Sequence, residues 1–368
     1  MLFVLSVFSV ANKKGDAAML SAPRRERAIR AMSFRSPDRI PLSYGCSGRA
    51  LLRNGERLLE LVRRHPNDFY PASCVKIPAR EPQFYRPDGT FYKETTDEWG
   101  CTWAYYQEGL MGEVKRAPLE DWSRLPSYRL PPPRLSTEKE RAEFRAIWET
   151  THAGYPVWGG GGSIFERLQF LRGVEALYCD IAEDRPELHA LADRLMHDYL
   201  LPGIENAFAC GVPIDIMGFG DDWGSQTALL ISPAAWRHFF KPRYRLLFEA
   251  CRRRGALVHM HSDGVTLAII PDLIEIGLHS FNPQLSCQDP REVKRLAGDS
   301  LCIYTDIDRQ RLLPFGTPAE IEAYIRDLHG IFGGREGGLI WGAEIGGEVP
   351  PVNAEALLAA FEKYSVPG

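Results

Sequence analysis

The sequence predicts an α/β fold, a single (β/α)8 barrel of the TIM type with a hairpin-bearing excursion between its second and third strands. Three observations carry this expectation. From Arg39 onward, short runs rich in β-branched and aromatic residues alternate with longer stretches of helical period. Eight such short runs can be counted, the number a closed barrel needs. The chain's 368 residues at 45% hydrophobic content are enough for one large core.

The chain opens with MLFVLSVFSVANKKGD, an apolar run with no basic residue before it and too short to span a bilayer. A second methionine, Met19, is followed by SAPRRERAIRAM, so residues 1–18 read as an upstream extension rather than an export signal. The barrel is expected over 24–368, with residues 1–23 outside it. The strand candidates are RIPLSYG (39–45), PASCVKI (71–77), YPVWGG (155–160), PIDIMGFG (213–220), ALVHMH (256–261), HSFNPQL (279–285), LCIYTDI (301–307) and GLIWGAEI (338–345). Helices are expected over 49–65, 232–255 and 317–334, where a Ser or Thr start or a Gly stop marks the ends. Two more, over 163–177 and 184–211, fill the connection between the third and fourth strands. Residues 79–137 break the rhythm with a DG turn and aromatic alternation and end in LPPPR. They read as an inserted β-rich lid or interface.

A formal net charge of −4 provides no global basic field for nucleic acid or an anionic membrane, so a small-molecule substrate is expected. Eight cysteines without a CxxC pair fit a reducing cytoplasm better than a disulfide framework or zinc ribbon. HExxH and GxSxG are absent as well.

Barrel enzymes carry their chemistry at the C-terminal ends of the strands. Those ends supply Tyr44 and Cys46, then Asp221 and Asp222, then His259, His261 and Asp263, then Asn282 and Gln284, then Asp306 and Asp308, and finally Glu344. Residues i and i+2 of a strand share a face, so His259 and His261 project together. Two imidazoles plus one carboxylate make a common catalytic zinc set, which His259, His261 and Glu344 could supply; Asp222, Asp263 or Asp306 could instead be the third ligand. The plainer reading has one histidine capping a loop and the other packed in a barrel layer. In GDDWGSQ, Asp221 reads as a turn cap, whereas Asp222 and Gln226 are candidates for orienting substrate or handling a proton. GGGGS (159–163) is a weak anion-cradle signal that a tight strand-to-helix turn also explains.

The combination of RAIRAMSFRSPDRIPL, DEWGCTW, GDDWGSQTALLISPAAWRHFFKP, HMHSDG, DIDRQRLLPFGTP and a closing GG…VPPVNAEAL resembles the uroporphyrinogen decarboxylase superfamily from about Arg24 onward. That resemblance implies a (β/α) barrel and two branches of activity. The metal-free decarboxylase branch implies arginine clamps, for which Arg49 and Arg53 stand; YGCSGRALLRNGE and ASCVKIPARE depart from its arginine-rich and aspartate signatures. The corrinoid-linked methyltransferase branch carries a zinc site of His-x-Cys plus a later cysteine. Here His259 and His261 occupy the first element, and Glu344 falls near the last. The harder donors imply Lewis-acid action on a methoxy or related group rather than activation of a thiol. The resemblance therefore implies a metal-dependent methyltransferase with zinc or another divalent metal at His259, His261 and Glu344. Asp222, Gln226 and Asp306 become its catalytic candidates; Tyr44, Arg49, Asn282 and Gln284 become its substrate contacts. No Asp-x-His-x-x-Gly corrinoid segment is present, so the corrinoid is expected on a partner protein. A homodimer is expected by analogy alone.

Overall fold

Parallel strands covered by helices on one face and filled on the other read as nearly continuous apolar runs, and Leu339–Ile345 and Leu257–Ser262 are built this way. The computed structural model describes residues 21–150 and 154–366. Ten strands follow in chain order: β1 (Leu42–Cys46), β2 (Lys93–Thr96), β3 (Thr102–Tyr105), β4 (Glu113–Arg116), β5 (Trp158–Gly162), β6 (Ile216–Gly220), β7 (Leu257–Ser262), β8 (Ser280–Pro283), β9 (Cys302–Tyr304) and β10 (Leu339–Ile345). Seven of them form one parallel sheet in the order β1-β10-β9-β8-β7-β6-β5, curled with helices outside it as an α/β barrel. Strands β2, β3 and β4 form a separate antiparallel sheet within the excursion.

The predicted second strand, 71–77, does not form. Pro71 removes a ladder donor, and the chain turns into a short 3-10 helix over Ala72–Cys74. The seam between β1 and β5 is filled instead by residues 67–70. Asp68 accepts from the Leu42 amide at 2.8 Å and donates its own amide to the Leu42 carbonyl at 2.7 Å, while Asn67 Nδ2 donates to the Tyr44 carbonyl at 3.0 Å. Asp68 is fully buried and ion-paired to Arg27 at 2.6 Å and Arg39 at 2.9 Å. Removing one member of such a buried pair typically costs about 3–5 kcal/mol.

One end of the barrel is closed by the helix Ser21–Met32, whose Ala28, Ala31 and Met32 pack on Ile216, Cys302 and Ile340. That helix begins before the expected barrel start at residue 24, and residues 1–20 of the expected extension lie outside the described residues. The expected helix over 232–255 is two helices, Pro233–Phe239 and Lys241–Arg253. Pro242 has no amide hydrogen to continue the ladder. Ser232 caps the first through the Ala235 amide at 3.1 Å, and Thr317 with Glu320 makes a capping box on Pro318–Phe332. With one end plugged, the chemistry-bearing strand ends converge at the other.

Candidate active site

Side chains from alternate barrel strands share a layer. Trp158 of β5, His259 of β7 and Tyr304 of β9 form one such layer, with ring centroids 5.2 Å apart for Trp158 and His259 and 5.3 Å for His259 and Tyr304. Phe69 from the seam completes it, 5.8 Å from Trp158 and 6.0 Å from Tyr304. Two residues further along, on the same face, come Gly45, Gly160, His261 and Asp306. A Cβ at Gly45 would meet no atom within 4 Å, and one at Gly160 would meet only Arg134 Nη1, at 3.0 Å. Two glycines in one layer thus open a hollow over an aromatic floor, with His261 and Asp306 in its wall.

The two histidines have different fates. His259 Nδ1 lies 3.1 Å from Ser280 Oγ among aromatic rings, and burial, with His261 nearby, pushes its pKa down to about 3. His261 Nδ1 lies 2.7 Å from Asn282 Oδ1. Asn282 Nδ2 is already committed to the carbonyls of Tyr304 at 2.8 Å and Thr305 at 3.0 Å. Its oxygen therefore accepts, His261 Nδ1 donates, and Nε2 is left facing Asp263 at 3.4 Å and Asp222 at 3.6 Å. Burial alone would lower the basicity of His261, but Asp263, then Asp222 and Asp306, raise it above the ordinary value.

Two loops are zipped together to hold this group. The Asp263 amide donates to Asp222 Oδ1 at 2.8 Å, the Trp223 amide to Ser262 Oγ at 3.1 Å, and the Val265 amide to the Ser225 carbonyl at 2.8 Å. At the crossing, a Cβ on Gly264 would lie 2.1 Å from the Gly224 carbonyl carbon, and Gly264 has φ +78°. Glycine at this point of HMHSDG is a requirement of backbone contact. The donor atoms of Asp222, His261 and Asp263 consequently all lie within 4.8 Å of one another. Beside them Asp306 is buried with its Oδ2 unpartnered; burial pushes its pKa up to about 6, against the pull of Arg309 and His261.

The expected ligand set His259, His261 and Glu344 is corrected by this geometry. Among the described residues the donors that converge on His261 are Asp222 and Asp263; His259 belongs to the floor, and Glu344 lies outside that group, sharing Arg309 with Asp263 and accepting from its Nη1 at 3.1 Å. Arg309 was not foreseen. Its Nη2 lies 2.6 Å from both oxygens of Asp263, so one guanidinium braces two acids of the mouth. The signal was present in DIDRQR, where an arginine follows the strand-end acids.

Other expected residues are occupied elsewhere. Tyr44 turns away from the hollow, its hydroxyl donating to the His65 carbonyl at 2.9 Å. Gln284 Oε1 accepts from the Gly264 amide at 2.8 Å and so pins the loop rather than a substrate. Gln226 is exposed on the rim, bonded to Gln310 at 2.9 Å. Asn282 orients His261. Arg49 and Arg53 are both paired to Glu348, at 3.1 and 2.5 Å. Asp308 caps the turn at Gln310 and Arg311, at 2.9 Å each. Asp221 is a structural cap, accepting from the amides of Ile164, Phe165 and Glu166 at 2.8–3.0 Å. That bonding occupies the amides behind GGGGS, so the loop does not offer them to an anion. Cys46 carries a thiol pushed up to about 12 by burial, with Glu344 adding to the effect, which keeps it protonated.

Comparison with known proteins agrees with this architecture. The family model for uroporphyrinogen decarboxylase matches residues 98–364. Among solved structures, a methyltransferase from Methanosarcina mazei superposes with a TM-score of 0.66 at 15% identity, covering 93% of this chain and 98% of that one. At that identity the likeness shows the fold. A 3-keto-D-glucoside 4-epimerase from E. coli (TM-score 0.37, 14% identity, 68% and 96% covered) and the Yersinia pestis dihydropteroate synthase (0.27, 14%, 50% and 60%) superpose too loosely to carry an argument. No curated protein sequence matches the chain.

Proposed function

The chain belongs to the uroporphyrinogen decarboxylase family, and we propose that within it this protein is a metal-dependent methyltransferase. It demethylates a small methylated compound, for example a methoxylated one, and passes the methyl group to a corrinoid on a separate protein. The observation that carries this reading is the convergence of Asp222, His261 and Asp263 beside the unpartnered, buried Asp306 Oδ2. A buried carboxylate oxygen without a donor is costly, and a cation at this corner would satisfy it. One imidazole and hard oxygens suit zinc or another divalent ion. When bound, such an ion supplies Lewis acidity to a substrate oxygen and so eases its departure from carbon.

The remaining work falls to the chain's own residues. Asn282 fixes the His261 tautomer so that Nε2 presents a lone pair once its proton leaves. Arg309 holds Asp263 in place from behind. The rings of Trp158, Tyr304 and Phe69 offer an apolar face to the body of the substrate. Asp306 presents to that corner a buried carboxylate whose ionised form burial disfavours until a cation is there to meet it.

Likeness to a methyltransferase fold supports this reading over decarboxylation of a polycarboxylate tetrapyrrole. So does the charge of the mouth. Arg49 and Arg53 are spent on Glu348, and Arg309 on Asp263 and Glu344. Among the described residues no helix is long and apolar enough to cross a membrane, and the cytoplasm is the proposed site of action. The test is demethylation of a panel of methoxylated compounds with a reduced corrinoid as acceptor, before and after chelation. Activity lost on chelation and restored by zinc supports the proposal; turnover unchanged by chelation, or carbon dioxide release from uroporphyrinogen, contradicts it.

A further inference from the structure

Away from the mouth, one further group among the described residues brings metal-competent side chains together: Asp184, His189 and His238, whose donor atoms all lie within 4.8 Å of one another. None of them stands at a strand end. Asp184 lies in the turn after the helix Val174–Ala182, His189 on the helix Pro186–Arg194 and His238 on the helix Pro233–Phe239. Both imidazoles present Nε2 to the same carboxylate oxygen, Asp184 Oδ1, at 2.7 Å from His189 and 3.1 Å from His238. Separate contacts hold each residue in place. Asp184 takes the left-handed conformation, φ +53°, which aspartate tolerates better than most residues, and its amide donates to the Ile181 carbonyl at 3.3 Å. The His189 ring meets the buried Phe239 ring edge-on, with centroids 4.8 Å apart, and the His238 ring centroid lies 5.9 Å from that of His189. His189 is half-buried while His238 and Asp184 are exposed, so water can reach the corner where the three meet.

We propose that Asp184, His189 and His238 form a divalent-metal site on the outer helix layer, taking zinc or a chemically similar ion that staples the turn and helix at 184–194 to the helix Pro233–Phe239. Two imidazoles and one carboxylate, with water in the open position, suit zinc; magnesium, which prefers an octahedral shell of oxygens, fits poorly. The ion replaces two hydrogen bonds on one oxygen with three coordination bonds, and it ties together residues 54 positions apart in the chain. Arg243 limits how tightly it does so. Its Nη2 donates to His189 Nδ1 at 3.3 Å, and a guanidinium only donates, so the metal-free ring carries its proton on Nε2. An ion at Nε2 moves that proton to Nδ1 and opens this longer contact, leaving Arg243 on Asp193 Oδ1 and the Phe239 carbonyl at 2.7 Å each. Exposure and this proton shift set the dissociation constant at about micromolar. At that affinity the outer ion washes out during purification and does not add to the ion held at the mouth. The site is independent of the methyltransferase reading, because none of its residues belongs to the lumen.

The experiment is calorimetric titration of zinc, and separately of magnesium, into the chelator-treated full chain carrying His261→Ala, which weakens the mouth as a rival site. The same titrations are run with His238→Gln or Asp184→Asn added. Glutamine keeps an N–H for the Asp184 carboxylate but offers no imidazole, so it separates a ligand from a hydrogen-bonding residue. Asparagine tolerates the left-handed backbone while removing the charge. The staple predicts one zinc per chain with a dissociation constant of about micromolar, weakened at least about tenfold by either added substitution, and magnesium weaker by more than that. It also predicts that zinc raises the unfolding midpoint of His261→Ala and leaves that of the doubly substituted chains unchanged. The proposal is overturned by no zinc binding up to about a hundred times that concentration, by unchanged zinc affinity in a folded His238→Gln chain, or by magnesium binding as tightly as zinc. Zinc binding that depends on His238, alongside demethylation insensitive to chelation, would leave the outer site standing and remove the metal mechanism at the mouth.

Discussion

His259 and His261 stand on one strand, face the same way and are two residues apart, yet they sit in chemically opposite layers of the barrel. The lower layer is a closed ring of aromatic side chains, where an imidazole is kept neutral by burial and tied to Ser280. The upper layer replaces two of its four side chains with glycine and surrounds the other imidazole with Asp222, Asp263 and Asp306. Strand alternation therefore decides which side chains enter the lumen, and depth in the lumen decides what they do there. A histidine one layer down contributes packing; a histidine one layer up faces three carboxylates and is the ligand we propose.

The sharpest way to break the contrast is to unzip the loops that make the upper layer. Gly264→Ala should destabilise by about 3 kcal/mol, combining overpacking at Gly224 with a positive φ. Denaturant unfolding would read the loss, and metal binding should go with it. Asn282→Ala leaves the fold of the lower layer intact but frees the His261 ring, and should weaken metal affinity by about 10- to 100-fold in a competition titration with a chromogenic chelator.

The lower layer is tested by pH. His259, and outside the layer His279, whose Nδ1 accepts from the Val258 amide at 3.0 Å, have folded pKa values depressed to about 3 and about 4, below the unfolded value, so the unfolded chain binds more protons. Stability is then full above about pH 6.5 and falls as pH drops toward those values, by up to about 1.4 kcal/mol per pH unit for each group. Unfolding midpoints at pH 7 and pH 5 would show this, and His259→Phe should remove about one proton's share of the slope. The smallest effect expected is that of Gln226→Ala, which loses an exposed bond to Gln310 and should change stability by no more than about 0.5 kcal/mol and metal affinity not at all.

Much of this was legible in the sequence. Period-2 runs and caps located seven of the sheet's strands and the helix starts at Ser232 and Thr317, because those signals are local. The second strand failed where Pro71 and Pro78 bracket a run whose composition alone reads as extended. His261, Asp222 and Asp263 were all in view, since each lies at a strand end, and Asp221 as a cap follows from its burial behind the loop. The choice of partners was not in view. Which acid reaches His261 depends on Gly224 meeting Gly264, a contact between loops some 40 residues apart that brings Asp222 and Asp263 together. Tyr44 and Gln284 misled for the same reason, because a polar residue at a strand end can as easily hold a helix or a loop.

The most direct measurement is metal content by elemental mass spectrometry on the parent, His261→Ala and His259→Ala, each checked for folding. The account predicts one divalent ion per chain in the parent, its loss in His261→Ala and its retention in folded His259→Ala. A parent that takes up no metal after supplementation during expression, or a His261→Ala variant that keeps it, would contradict the claim that the upper layer is the metal centre.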